Sequence, residues 1–221
     1  MIDNPFILLV LFPLAAYVIG ATPFGVLLAR AHGVDLRKVG SGNVGATNCG
    51  RALGAKWGYL CFVLDVSKGL LGVLLVGWLV RPEAGPPALL QQAAWLLTGC
   101  GAIAGHVFSF WLSFRGGKGV ATALGVVLGV WPYLTYAGLI ALAVWVAVTL
   151  ISRYVSLGSI LAAVIFLPAF AALNWPPGDL WPMGVFASLM VALIIVRHRA
   201  NIARLLKGTE NKIGGKKAGT P

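Results

Sequence analysis

The stretch Gly40-Ser41-Gly42-Asn43-Val44-Gly45-Ala46-Thr47-Asn48-Cys49-Gly50-Arg51 packs glycines, small polar side chains and one arginine into an otherwise greasy chain. Glycine lets a backbone turn sharply and approach a ligand without a Cβ in the way. Successive N–H groups in such a turn make a concavity suited to an anionic oxygen, and a following helix adds its positive end. The spacing predicts a helix beginning near Gly45, which at about 100° per residue puts Thr47, Asn48 and Arg51 on one arc. Two readings fit: a phosphate cradle built from Ser41, Gly42, Asn43, Gly45, Thr47, Asn48 and Arg51, or a hydrophilic turn between membrane helices.

Further candidates recur along the chain. Arg115-Gly116-Gly117-Lys118-Gly119 repeats the pattern at a second helix start, where Lys118 joins the N–H groups of Gly116, Gly117 and Gly119. Near the C-terminus Arg197, Asn201 and Arg204 fall within about 60° of one another on a helix, with His198 at the arc's edge. That arc suits a phosphate or, equally, anionic lipid headgroups. Ser156 and Ser159 follow Arg153 one turn apart, able to bind ligand or to bond back to helix carbonyls. His106 lies in an apolar run, as a hydrogen-bonded packing residue or a base.

These groups need elements to hold them. Charged residues make up 10% and hydrophobic ones 59% of 221 residues, and mean hydropathy is +0.89. That composition excludes a soluble globular domain and predicts an all-α polytopic membrane protein. Apolar runs, all but one long enough to cross a bilayer at about 20 residues each, predict seven transmembrane helices. They cover Ile7 to Ala29, Trp57 to Val80, Ala88 to Phe114, Val120 to Val130, Tyr133 to Ile151, Tyr154 to Leu173 and Leu180 to Val196. The fourth run would rise only about 17 Å, so either it spans a thinned region or its glycine start is recessed in a protein-lined cavity. The second run carries Asp65 and Lys68, three apart, read as a structural ion pair with a site role as the alternative.

With the N-terminus outside and the C-terminus cytosolic, fifteen of the seventeen Lys and Arg residues lie on the cytosolic side, as the positive-inside rule asks. Both glycine clusters, the Arg153 turn and the basic segment then share one face. Residues 1–211 read as a single membrane domain and 212–221 as a disordered basic tail. Tryptophans 78, 131, 175 and 181 read as interfacial anchors.

Missing residues narrow the chemistry. With four aspartates and two glutamates, three of the six placed outside, no acidic cluster is set to hold Mg²⁺, and no metal site or cofactor is expected. No histidine has an aspartate five positions on, and no nucleophile-elbow or Walker motif occurs. Three scattered cysteines read as free thiols. Two anion holders suit a reaction joining two phosphorylated groups, which needs little beyond orientation if one is already activated, as in a mixed carboxylic–phosphoric anhydride. A transporter or lipid-phosphate binder would hold the anion without turning it over, and a membrane phosphatase would need a nucleophile–base pair the sequence does not offer.

G-S-G-N-V-G-A-T-N (40–48) with Arg51, G-H-x(8)-F-R-G-G-K-G-V-A-T (105–122), R-Y-V-S-L (153–157) and R-H-R-x-N-I-x-R-L-x-x-G-x-E (197–210) together resemble the bacterial acyl-phosphate-dependent glycerol-3-phosphate acyltransferases. The resemblance implies a seven-helix enzyme of the bacterial inner membrane. It would move a fatty acyl group from acyl-phosphate to sn-glycerol 3-phosphate, giving lysophosphatidate and phosphate, the first step of phospholipid synthesis. The expected partners are those two substrates and membrane lipid, not nucleic acid, and the enzyme is expected to be a monomer. By position, Ser41, Gly42, Asn43, Thr47 and Asn48 would hold the acyl-phosphate. Arg51, Lys118, Ser159, His198 and Asn201 would hold glycerol phosphate. Asn43 and Lys118 are the expected charge stabilisers, and His106, His198 or a substrate phosphate oxygen the expected base. Ser109, Arg115 and Ala200 depart from the family pattern, and Ser109 predicts a straighter third helix.

Overall fold

The computed structural model describes residues 4–80, 85–175 and 178–214, and all regular structure among them is helical. A π-turn, Ile7–Leu11, leads into α1 (Phe12–Ala21), and α2 (Phe24–Ala31) completes the first span. Expected as one helix, this span is broken at Thr22-Pro23, where Thr22 adopts ψ 117° and Pro23 has no N–H to continue the ladder. The wide turn at its start precedes Pro13 for the same reason.

The first basic loop holds a helix of its own, α3 (Ala46–Leu53), with Gly45 as its N-cap. Gly54, at φ 101°, ends α3 and opens α4 (Ala55–Leu79), a bend that only glycine makes at low cost. The third span, Leu89–Leu112, is not one continuous helix. α5 (Leu89–Val107) ends at Phe108, whose ψ of 50° leaves the helical region, and a 3₁₀ turn, Phe110–Leu112, follows before Ser113 and Phe114 turn left-handed and send the chain back. Gly116 and Gly117 then donate to the carbonyls of Val107 and His106 freed at the helix end. Ser109 therefore caps a turn and does not straighten the helix.

The remaining elements are α6 (Val120–Gly129), α7 (Thr135–Ser152), α8 (Val155–Leu173), α9 (Trp181–Arg197) and α10 (Arg199–Leu206). Six segments of the described residues are long and apolar enough to cross a membrane, and α6 is a shorter apolar helix. The links between the second and third runs and between the sixth and seventh, and the basic tail, fall partly outside the described residues, at 81–84, 176–177 and 215–221.

Small residues set the packing. A Cβ at Gly69 of α4 would strike the Thr122 carbonyl, and one at Gly125 of α6 the Val66 carbonyl. On α5, Gly101 and Gly105 lie against the Pro13 and Tyr17 carbonyls of α1. Backbones this close gain dispersion contacts that lipid cannot supply, since tails are as apolar as leucine. A buried core of Val73, Trp95, Val126, Leu134, Phe166 and Phe186 joins the spans, while Leu71, Leu150, Ile151 and Leu189 face outward.

Contacts between loops mark two ends of the bundle. At one end Gln92 donates to the Asp179 carbonyl, and Trp95 meets Tyr133 edge-on. At the other, Arg37 reaches residues 112 and 115, Arg197 reaches 116 and 117, and Ile213 N donates to the Arg153 carbonyl. Both glycine clusters, the Arg153 turn and the basic segment thus share one end.

The α4–α6 contact gives a direct test. Gly69→Ala should cost about 1–3 kcal/mol through overpacking against main chain and visibly lower the melting temperature of the purified protein in detergent. Gly72→Ala, one turn on, meets only side-chain atoms at 3.8 Å or more and should stay within about 0.5 kcal/mol of wild type.

Candidate active site

The first glycine motif is shaped from inside. Asn48 is 2% exposed; its amide donates to the Leu36 and Val39 carbonyls, and its Oδ1 accepts from Ser41 N. Expected to share an outward arc with Thr47 and Arg51, Asn48 instead points inward as the strut of the cradle. Gly40, at φ 57°, leaves room for it, since a Cβ there would meet its Oδ1. Asn43 Oδ1 accepts from Gly45 N just before α3. Ser41, Gly42 and Thr47 are exposed along the rim.

The second motif folds onto the end of α5. Glycine is required at 116 and 117 by contact with that helix end, because Cβ atoms there would strike the His106 carbonyl and the His106 ring. The peptide pair is held from its other side by Arg197, whose Nη2 donates to the Gly116 and Gly117 carbonyls at 3.0 and 2.9 Å. Gly119, at φ 85°, then opens α6. Lys118 projects from this turn, and the ion pairs found among the described residues are Asp65–Lys68 and Arg204–Glu210, with His106 also close to Asp65; none involves Lys118.

The C-terminal segment supplies the third wall. Glu210, its side chain 5% exposed, accepts from Ser156 Oγ at 2.9 Å, Asn201 Nδ2 at 2.7 Å and Arg204 Nε at 2.7 Å. Burial pushes this carboxyl up, but those three hydrogen bonds outweigh burial and hold it below the usual range. Arg51 reaches across to the Asn211 carbonyl at 3.1 Å.

Electrostatics follow from one acid among several cations. Burial pushes Lys118 down to about 8; Glu210 opposes the fall, while Arg204, Arg51 and Arg197 add to it. Burial, and then Lys118, push His198 down to about 4. Its ring is therefore neutral near pH 7, and Nδ1 carries the proton that it donates to the Ile194 carbonyl at 2.8 Å. Nε2 is left as an acceptor in a wall of donors.

Arg51, Lys118, Ser156, His198, Asn201 and Arg204 are thus gathered around Glu210. Ser159 is not. Its hydroxyl accepts from Trp145 Nε1 and donates to the Val155 carbonyl, on the wall of an apolar crevice shared with Phe62, Leu142, Phe166 and Met190. His106 is also apart, between Asp65 and Gly117. Sequence reasoning gave no role to Glu210, though it closes the fourth motif, or to Arg37. The first was readable as one of only two glutamates, set in a basic segment. The second carried no signal beyond its charge.

A family model described as glycerol-3-phosphate acyltransferase matches residues 10–208. A glycerol-3-phosphate acyltransferase of Geotalea daltonii is 45% identical over 198 residues, covering 90% of this chain and 94% of the relative. One from Rhodospirillum rubrum is 43% identical over 220 residues, 98% and 96% of the two chains. Among solved structures, PlsY (YgiH), an integral membrane glycerol 3-phosphate acyltransferase, superposes in its glycerol 3-phosphate form with a TM-score of 0.80 at 41% identity over 92% of this chain and 94% of that one. Its lysophosphatidic acid form gives 0.77 at 39% identity, over 94% and 96%. On these matches, along nearly its full length, the chain belongs to the glycerol-3-phosphate acyltransferase family.

Proposed function

We propose that this enzyme takes its acyl group from an acyl-phosphate and delivers it to sn-glycerol 3-phosphate on the cytosolic face of a bacterial inner membrane. The observation that carries the reading is the convergence of two glycine turns and a cation-rich wall at one end of the bundle, with Lys118 in none of the ion pairs found among the described residues. Two phosphate-bearing substrates call for two such holders. The relatives' glycerol 3-phosphate and lysophosphatidic acid forms support acceptor and product.

In this reading the N–H groups of residues 43, 44, 46 and 47, not those of 41, 42 and 45 that shape the turn, join the Asn43 side-chain N–H in holding the acyl-phosphate, while Arg51, Lys118, Asn201 and Arg204 hold the acceptor's phosphate. Ser156 acts through Glu210, and Ser159 lies on the apolar wall. The acceptor hydroxyl attacks the acyl carbon, and the bond from that carbon to the phosphate oxygen breaks. The proton leaves with the departing phosphate, giving ester and hydrogen phosphate in balance. His198, held near 4, is poorly matched to removing an alcohol proton at pH 7; its Nε2 orients that hydroxyl as an acceptor. Donors preorganised at the oxyanion are worth a few kcal/mol.

The rest of the architecture follows the basic residues. Seven crossings, α6 being the short one, put the N-terminus outside and the charged end in the cytosol, in a monomer folded as one domain over 1–211.

Purified enzyme given glycerol 3-phosphate should make lysophosphatidate from palmitoyl-phosphate and not from palmitoyl-CoA; the reverse result would end the donor assignment. Lys118→Ala should lower kcat/KM by about 10²–10³ in a protein that still folds. A third expectation concerns pH. Lys118 is charged below about 8 and neutral above it, while glycerol phosphate is a dianion above about 6. The KM for glycerol 3-phosphate should therefore rise as pH passes through about 8, and Lys118→Arg should move that rise to higher pH. A flat KM from pH 7 to 9.5 would remove Lys118 from the phosphate.

A further inference from the structure

One buried cluster of charged groups is left unused by the phosphate cradles. Asp65 and Lys68 pair at 2.7 Å with side chains 4% and 2% exposed, and the Cys61 thiol approaches the second Asp65 oxygen. Lys68 Nζ also donates at 2.9 Å to the Thr22 carbonyl, freed by the break in the first span. From α5, His106 Nδ1 stands 3.6 Å from Asp65 Oδ1, within reach of an ion pair though too long for a hydrogen bond. Attraction within a buried ion pair roughly offsets its desolvation, so stability is a weak reason for one. Inside a membrane span, such a group points to function.

The contacts of His106 indicate which function. A Cβ at Gly117 would land on the ring at Nε2, and the main chain of the same histidine accepts from Gly117 N. The ring and the Arg197 guanidinium thus hold Gly116-Gly117 from opposite sides, and the next residue is Lys118. A small cavity bounded by Asp65, Lys68, His106 and Gly117 also touches Thr22 and Val44, the latter inside the first glycine motif. The cluster lies beneath the seam between the two cradles.

We propose that Asp65 is a positioning residue for acyl transfer: by holding the His106 ring against Gly117 it fixes Lys118, and with it the second phosphate, at a set distance from the first cradle. This rests on the acyl-transfer reading above. Asp65 is buried and is part of neither cradle, so its effect falls on the bound complex and not on capture. A displacement of about 1 Å between reacting groups is enough to cost about 10²-fold in rate.

A double-mutant cycle tests this. Wild type, Asp65→Asn, His106→Gln and the double variant are purified in detergent, and their folded fractions are fixed by size-exclusion chromatography and thermal melting. Both KM values and kcat are then measured with palmitoyl-phosphate and glycerol 3-phosphate. Each single change should lower kcat per folded molecule about 10- to 100-fold, with KM values moving less than about threefold. The double variant should be no slower than the worse single within about threefold, because one residue acts through the other. A merely structural pair lowers the melting temperature and leaves kcat per folded molecule unchanged; independent roles multiply the two losses. Either outcome overturns the proposal. If Asp65→Asn does not fold, Asp65→Glu, which moves the carboxylate by one methylene, replaces it in the cycle and is read the same way. Wild type that works only with palmitoyl-CoA would refute the donor and leave the cycle to be run with that donor.

Discussion

Three arginines hold the site together through main-chain carbonyls. Arg37 joins the first loop to the second through Leu112 and Arg115, Arg197 joins the C-terminal segment to the second loop through Gly116 and Gly117, and Arg51 joins the first loop to the C-terminal segment through Asn211. The three ties close a triangle. Hydrogen bonds from a charged donor are each worth about 1.5–3 kcal/mol where buried, and less where exposed, as at the Arg115 and Asn211 carbonyls. Glu210 sits inside the triangle and gathers Ser156, Asn201 and Arg204 from two helices. Without it, neighbouring cations would repel one another in a partly buried space.

The bundle below makes that end possible by breaking its own rules locally. The interrupted first span leaves the Ala21 and Thr22 carbonyls without helix partners at a depth where unmet polar groups are costly. Ser109 Oγ donates to Ala21 at 2.6 Å and Lys68 to Thr22 at 2.9 Å. Ser109 thereby does for this chain what a helix hydrogen bond would have done. Lys68 in turn brings Asp65, and Asp65 meets His106.

Much of this was legible in the sequence, for reasons particular to each element. The spans followed from apolar length, the helix at Ala46 from a glycine run followed by helix formers, and the Asp65–Lys68 pair from its spacing of three. The shared end of the bundle followed from where the basic residues fall. The end of α5 was not legible, since an apolar run through Phe114 cannot announce that Phe108 leaves the helical region or that Ser113 and Phe114 turn left-handed. Nor does the length of the uncharged run around Thr22-Pro23 show the break within it. The inward turn of Asn48 depends on carbonyls at 36 and 39, and the gathering role of Glu210 on a return of the chain from α10 to α8. Contacts between segments so far apart leave no periodic trace.

The ties ending on peptide oxygens divide this end of the molecule into positions that must keep their identity and positions that need not. Arg115 lends Arg37 only its carbonyl, and Ala200 lies exposed on α10; neither side chain is part of the frame. Drift in these loops is thereby uncoupled from catalysis, whereas any change at the three guanidinium donors is felt on all three walls at once.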